Sequence, residues 1–410
     1  MSKREPAGGK PRIFAVVGGA GAMGRITVRD LMETCATTDE VLIADYDLEK
    51  ATALAASFAG QPYPRVRAVR VDVSDRAAAA RALAGVFVVV NAVQYQLNLD
   101  VMEAALSAGA HYVDMGGLFH TTRKQLALDG RFKAAGLTAI LGMGAAPGIA
   151  NLLSRHGAER LDEVREIHIR VGGMDQTRYQ GEPALAVSYS LKTILEEFST
   201  PPAVFTKGEF KFVEPMSGAG RHRFPPPVGV RHPMYVIHSE VATLPLSYRE
   251  QGVQEVSFKI AFDPTFTDRV RFLRDLGMAS HQPLDIMGVK VKPVDVINKV
   301  AMSQAPATQV GKLKQYEVVR SVVKGTAKGK KVTWVVDCHT RGMPEWGVGL
   351  DIDTGSPPAV AAQMLAAGEV TAQGTVPPEI AVPTAPFFKR LALRKMRLVA
   401  TRKAGWSFPT

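Results

Sequence analysis

Between residues 12 and 141, short aliphatic and β-branched runs alternate with Ala- and Leu-rich stretches whose apolar positions recur every three or four residues. "RIFAVVG", "EVLIAD", "RVRAVRVD", "VFVVVNA", "HYVDMG" and "LTAILG" predict strands. "AMGRITVRDLMETC", "LEKATALAASF", "SDRAAAARALAG", "LNLDVMEAALSAG" and "FHTTRKQLALDGRFKAAG", lying between them, predict helices. Strand and helix in turn call for a parallel sheet with helices on both faces. The first expectation is therefore an α/β, doubly wound Rossmann domain over residues 1–150.

The stretch "LGMGAAPGIANLLSRHGA", residues 141–158, ends that pattern. Pro147 presets its own backbone angle and suits a first helical turn, so an apolar strand is expected to stop here and pass directly into a helix. Further on, "VREIHIRVGG", "EVSFKIAF" and "KKVTWVVDCHT" alternate as antiparallel-type strands, with "LAVSYSLKTILEEFS" and "PVDVINKVAMSQ" as the clearest helices. This mixture predicts an α+β domain over residues 151–345. The Ala-rich helix in "GSPPAVAAQMLAAGEV" resembles the N-terminal helices. Residues 346–388 are therefore expected to return to the first domain, leaving 389–410 as a basic tail.

Composition narrows the class. A chain of 410 residues, 46% apolar and 22% charged, is long enough for two or three packed domains and is neither disordered nor fibrous in character. No run reaches the roughly 18 apolar residues of a membrane span, and the polar "MSKREPAGGKPR" lacks a signal-peptide core, so a cytoplasmic protein without a transmembrane segment is expected. Cys35 and Cys338 are far apart and outside any CxxC pattern, which predicts neither a disulfide framework nor a metal site; on its alternating strand Cys338 reads as a buried structural thiol. The net charge of +11 is concentrated locally, with seven Lys or Arg and no acid after Glu379. No nucleic-acid motif accompanies it, and solvated surface is the expectation.

The candidate chemistry starts at "VVGGAGAMGRITVRDL". Gly19, Gly21 and Gly24 form GxGxxG between a strand and a helix: the first for a tight turn, the second for backbone approach to a pyrophosphate, the third for close helix packing. Ala22 and Met23 open the helix whose N-terminus would face the anion. Asp45, 21 residues beyond Gly24, ends the second strand. A carboxylate there suits the ribose hydroxyls of NAD and repels the 2′-phosphate of NADP, and neither Tyr46 nor Asp47 compensates, so NAD is the expected cofactor. Ligands lie outside the carboxyl ends of parallel strands, which adds Asp72 and Val73 near the adenine and Asn91, Ala92 and Val93 near the ribose and nicotinamide; Asn91 also suits a plain turn.

The segments "GGAGAMG", "ADYDLEKA", "VVNAVQYQLNLDVMEAALSAGAHYVDMGG", "GMGAAPGIANLLSRHGA" and "HSEVATLP" together resemble the saccharopine dehydrogenase family, and within it the lysine 6-dehydrogenase branch. The resemblance covers most of the chain, more weakly over 200–330, and leaves the basic stretch after about residue 389 without a counterpart. It implies a Rossmann domain carrying an inserted α+β catalytic domain, a homodimer or tetramer, and an amino-acid substrate held between the domains. It implies further that "GAAPGIANLL" is the crossing, where Ala145, Ala146 and Gly148 keep the pocket floor low. The implied reaction is removal of a hydride from the ε-carbon of L-lysine to NAD, then hydrolysis of the imine to a semialdehyde that can cyclise.

Such a reaction needs a base and cations for an α-carboxylate. Tyr95, Gln96 and Asn98 follow the fourth strand, and Asp114, Gly116 and Gly117 end the fifth. In "YVIHSEVATLP", His238 and Glu240 share a face if the run is extended, as a base and its orienting carboxylate would. Tyr95, Asp114, His238 and Glu240 are the catalytic candidates, though each also suits a packing, capping or structural hydrogen-bonding role. Arg170 and Arg178, with Arg231 behind them, are candidate carboxylate partners because a guanidinium binds carboxylate bidentately. Gln96 and Gly117 complete the substrate set. Two alternatives stand beside this reading: a saccharopine dehydrogenase acting on a secondary amine, and a non-catalytic NAD-binding sensor.

Overall fold

The computed structural model describes residues 11–181, 185, 190–304 and 308–404. The polar start of the chain, part of the helix expected in "LAVSYSLKTILEEFS" and the last six residues lie outside the described residues.

Six strands, β1 (Ile13–Val17), β2 (Glu40–Asp45), β3 (Arg65–Arg70), β4 (Val88–Asn91), β5 (His111–Asp114) and β6 (Thr138–Ile140), form a parallel sheet in the order β3-β2-β1-β4-β5-β6. Helices α1 (Ala22–Thr34), α2 (Leu48–Ala56), α3 (Arg76–Ala82), α4 (Asn98–Ser107), α5 (Leu118–Leu126) and α6 (Asp129–Ala134) connect them. Successive strand residues enter different cores: Val16, Ile43 and Val90 pack on one side, Ala15, Leu42 and Val89 on the other. Two buried faces explain why these strands read as unbroken apolar runs. A seventh parallel strand, Gly374–Val376, joins β6 after the chain has been elsewhere for more than two hundred residues.

Helix α7 (Ile149–Ala158) leads out of this sheet. It does not start at Pro147 as the sequence suggests. Gly148, at φ +118°, is the residue before the helix, and a side chain there would meet the Gly144 carbonyl oxygen at 2.3 Å, so only glycine fits. Asn151 caps the turn by accepting from the Gly148 N–H at 3.0 Å, and its Nδ2 donates to Glu379 at 2.8 Å. Pro147 instead packs between Gly116 and Gly142; a Cβ on either glycine would lie 2.7 Å from its ring.

The second sheet runs Glu209–Phe212, Ala203–Thr206, Glu255–Ala261, β7 (Glu163–Asp175), Gln315–Ala327, Lys330–Thr340, Arg397–Ala404. Only β7 and Glu255–Ala261 pair in parallel. On β7, Ile167, Ile169 and Val171 face the core shared with α7, and the register partner of Ile169, Ser321, contacts Ser154 of α7 at 2.8 Å. His168 and Arg170 therefore face the other way.

The stretch from 389 is not a tail. Thr384–Ala392 is helical, Arg397–Ala404 is the edge strand of the second sheet, and the intervening Arg394, 2% exposed, pairs with buried Asp30 of α1. Lys and Arg are the side chains that protect an edge strand from further pairing, which accounts for a basic run inside the fold. No helix among the described residues is long and apolar enough to cross a membrane.

Candidate active site

At the glycine turn each residue answers to a different constraint. A Cβ on Gly19 would meet the Val16 carbonyl oxygen at 2.8 Å, and one on Gly24 would meet the Gly18 carbonyl oxygen at 2.0 Å, so both are required by protein packing. A Cβ on Gly21 would meet only the Gly18 carbonyl oxygen, at 3.2 Å. The space beside Gly21 is thus left open by the protein itself, at the start of a thirteen-residue helix whose first turn, from Ala22 and Met23, has no side-chain cap. An open cradle of backbone amides at a helix N-terminus fits a pyrophosphate.

Asp45 holds the turn from the second strand: its Oδ2 accepts from Ala20 N–H at 2.9 Å and its Oδ1 from Asp47 N–H at 3.0 Å. Next to it in the sheet is a cation that reading along the sequence overlooked. Arg70 is the register partner of Asp45, and its guanidinium lies 5.6 Å from the exposed Tyr46 ring. Asp72, at an exposed turn, is bonded by Ser74, and those hydrogen bonds, with Arg70, hold its carboxyl below the ordinary value. Val73 is buried. Val93 lies against Gly18, where an added Cβ would be 2.8 Å from its methyl, and Ala92 N–H continues the β1 ladder onto Val17 at 2.8 Å.

Asn91 and Asp114 are braces. Asn91 Nδ2 donates to Asn98 and to the Tyr112 hydroxyl, both at 2.9 Å, and its Oδ1 accepts from Val93 N–H. Asp114 accepts from the side chains of Gln125, Tyr112 and Asn98 and from the amides of Gly116 (2.9 Å) and Gly142 (2.6 Å). Burial still raises its pKa against those bonds. So many donors leave Asp114 the work of fixing the two glycine turns that receive Pro147.

The second domain meets this edge at two places. Ser239 Oγ accepts from Gly117 N–H at 3.2 Å and contacts Thr122, setting its neighbours His238 and Glu240 beside the end of β5. His238 Nδ1 is 2.5 Å from Glu240 Oε2, and its ring stacks on Phe258 with centroids 3.8 Å apart. The run is not extended as the sequence reading assumed: Glu240 begins the helix Glu240–Ser247, and the two side chains meet across a helix start. Burial pulls the imidazole pKa down, but Glu240, with Glu197, outweighs it and the net shift is upward. Glu240 Oε1 is buried with no hydrogen-bond partner among the described residues.

The other meeting point is Glu196, on the helix Leu191–Ser199. It accepts from the Tyr95 hydroxyl at 2.5 Å and from Gln96 Nε2 at 3.0 Å, and pairs with His281 at 2.8 Å. Burial and Glu196 together raise the Tyr95 pKa strongly, so Tyr95 is held as a neutral donor. More carboxyls lie where the strand Gln315–Ala327 of the second sheet meets the segment 351–355. Glu317 and Asp353 are buried together with pKa values raised by burial, and burial pushes Asp351 up to about 6. This segment touches α1 through Thr27, which donates to the Gly355 carbonyl at 2.7 Å, and approaches Gly144 through Thr354. None of these acids stood out in the sequence, where each looks like an ordinary solvated charge.

The arginines lie elsewhere. Ile169 is the register partner of Phe258, on which His238 stacks, so Arg170 occupies the opposite face of the sheet. Arg178 is exposed on the short strand Arg178–Gln180, paired with Thr308–Val310, and Arg231 donates to Gly173 and Val230 carbonyls.

A Rossmann sheet with this glycine turn, facing a mixed sheet that delivers a His–Glu pair to the ends of its strands, has the layout of a nicotinamide-dependent oxidoreductase. Two stretches of the sequence narrow the class. Residues 14–140 match the saccharopine dehydrogenase NADP binding domain and residues 144–396 the saccharopine dehydrogenase C-terminal domain, so the chain belongs to the saccharopine dehydrogenase family. It is 24% identical over 388 residues to carboxyaminopropylagmatine dehydrogenase of Synechocystis sp., covering 91% of this chain and 94% of that one. It is 24% identical over 331 residues to carboxynorspermidine synthase of Vibrio cholerae, covering 76% and 78%. The fold is that of apo saccharopine dehydrogenase (L-Glu forming) from Saccharomyces cerevisiae, with a TM-score of 0.70 over 96% of this chain and 100% of that one at 16% identity.

Proposed function

We propose that the enzyme transfers a hydride between NAD and the nitrogen-bearing carbon of a polycationic amine that also carries a carboxylate. The observation that carries this is the helix Leu191–Ser199, which sets Glu196 against Tyr95 and Glu197 within electrostatic reach of His238, beside Glu240. Buried carboxylates attract ammonium or guanidinium groups, and they suit a polyamine better than a simple amino acid. The names of the two curated relatives describe molecules of that chemistry. Arg170 and Arg178, the cations first considered for a carboxylate, lie away from His238, so the buried acids and not a carboxylate partner separate this reading from the lysine one.

A dinucleotide held at the Gly21 turn and beside Asp45 would supply or accept the hydride. His238, its Nδ1 fixed by Glu240, exchanges the proton of the reacting nitrogen or of the attacking water through Nε2. Tyr95 and Gln96 hold Glu196 across the domain boundary, and Asp114 keeps the Gly116 and Gly142 turns in place under the substrate. Asp45 favours NAD; the second reading, NADP, is favoured by Arg70 next to it.

The test is absorbance of the reduced cofactor with NAD and, separately, NADP, on mixing with a carboxyalkylated diamine, carboxylated agmatine derivatives, saccharopine and L-lysine. Turnover of the polyamine derivatives at a kcat/KM well above that of lysine is expected. Turnover of lysine alone restores the lysine reading; cofactor binding without turnover of any of them leaves the sensor.

A further inference from the structure

Arg170 has a setting of its own. The strand register places Tyr235, Lys259, Arg170, Arg320 and Asp337 side by side across five neighbouring strands, on the sheet face turned away from α7. Arg320 is matched by Asp337 through contacts of 2.7 and 2.8 Å. The next two cations along the row, Arg170 and Lys259, are not matched. Among the described residues no carboxylate pairs with Arg170 or with Lys259. Arg170 Nη1 donates to the Ile169 carbonyl at 2.6 Å and to Ser257 Oγ at 3.1 Å, while Nε and Nη2 find no protein acceptor there. Lys259 Nζ reaches the Gly218 carbonyl at 2.5 Å and lies 4.1 Å from the Tyr235 ring centroid.

The neighbourhood is otherwise cationic. Burial lowers the Arg170 pKa to about 10, and burial together with Arg170 lowers Lys259 to about 8. His222, close enough to feel both Arg320 and Arg170, is held down to about 4 mainly by burial, and its Nε2 is buried without a partner among the described residues. Strands lie about 5 Å apart, so two partly desolvated cations on adjacent strands repel each other unless a counter-charge joins them. The described protein does not supply one.

We propose that Arg170 and Lys259 form a binding site for a small doubly charged oxyanion, a phosphate or a dicarboxylate, on the face of the second sheet opposite the candidate active site. The free edge of the Arg170 guanidinium supplies two N–H donors in a fixed fork, and Lys259 supplies a point charge from the neighbouring strand. Ser257, already bonded to Arg170, and the Gly218 turn, held by Lys259, border the site. Because Ile169 and Phe258 separate it from His238, this site is independent of the reaction proposed above.

The experiment is calorimetric titration with inorganic phosphate and, separately, with succinate, at ionic strength held constant with chloride. Saturable one-to-one binding of at least one of them is expected, weakened tenfold or more in Lys259→Gln and in Arg170→Gln. Phosphate alone binding identifies a phosphate site, and succinate alone a dicarboxylate site. Thermal unfolding checks that each variant is folded; should Arg170→Gln fail that check, Lys259→Gln decides, since Lys259 is only half-buried. Absence of saturable binding of either anion, or full binding in the folded variants, overturns the proposal.

Discussion

The Tyr95 hydroxyl donates to Glu196 at 2.5 Å, joining the end of β4 in the first domain to a helix of the second, 101 residues further along the chain. Tyr95→Phe keeps the ring and removes that bond, while Gln96 and His281 still reach Glu196. A lost hydrogen bond of this kind, with other donors still on the carboxylate, costs about 1–1.4 kcal/mol. The expected outcome is a KM for the amine raised about fivefold to tenfold with a smaller change in kcat. Steady-state kinetics with both substrates varied checks it; an unchanged KM removes the interdomain bond from substrate binding.

The raised pKa of His238 gives the pH dependence a sign. Oxidation of the amine needs the neutral imidazole, so kcat/KM in that direction falls as pH drops through a value above the ordinary 6.5, whereas the reductive direction falls as pH rises through it. Glu240→Gln removes the charge that raises this pKa, so the acid limb of the oxidative profile moves to lower pH. His238→Gln flattens the limb and lowers kcat by a factor on the order of a hundred. An acid limb that stays in place in Glu240→Gln assigns the titration to another group.

Two alanines distinguish a cofactor role from a packing role within one turn. Gly21→Ala meets only the Gly18 carbonyl, at 3.2 Å, and is expected to fold normally while binding NADH about tenfold or more weakly. Gly24→Ala places its methyl 2.0 Å from the same carbonyl and is expected to lower the unfolding temperature. Fluorescence titration with NADH and thermal melts on the two variants decide the matter. Equal NADH affinity in Gly21→Ala and wild type would contradict the pyrophosphate assignment.

Asp45→Asn leaves an acceptor for the Ala20 amide and removes the negative charge next to Arg70. The ratio of kcat/KM for NAD to that for NADP is expected to fall about tenfold. No change in the ratio would mean that Asp45 holds the turn without touching the ribose.

Arg394 and Asp30 are almost wholly buried, and Arg394→Met leaves the aspartate without its charge partner. Removing one member of such a pair costs about 3–5 kcal/mol, which urea denaturation would read as a lower midpoint. A midpoint within error of wild type would return the segment after 389 to the status of an appendage.

The Rossmann half was legible because its information is local. Each strand is a short apolar run, each helix repeats at its own period, and the glycine turn lies between the two. The contact between His238 and Glu240 was legible because their sequence spacing survives the change from strand to helix start. Arg170 shows where such reading stops. Alternation along "EIHIRV" tells that Arg170 and Ile169 face opposite ways, but the packing of α7, not the strand, decides which face looks toward the cofactor. Glu196 and Glu197 were missed for a related reason: on a single amphipathic helix two acids read as a solvated face, and only the approach of Tyr95 and His238 from distant segments gives them a task. Arg70 escaped because it is near Asp45 across the sheet and not along the chain.

The seventh strand of the first sheet, Gly374–Val376, also bears on how the molecule comes into being. During synthesis the free edge of β6 emerges early and stays unpaired while some two hundred residues of the other domain are made. The cofactor-binding half therefore cannot complete its own sheet as a vectorial unit, and the last tenth of the chain closes both sheets, the first through Gly374–Val376 and the second through Arg397–Ala404. A ribosome halted shortly before that point would carry two half-edged sheets at once, each a template for the wrong strand.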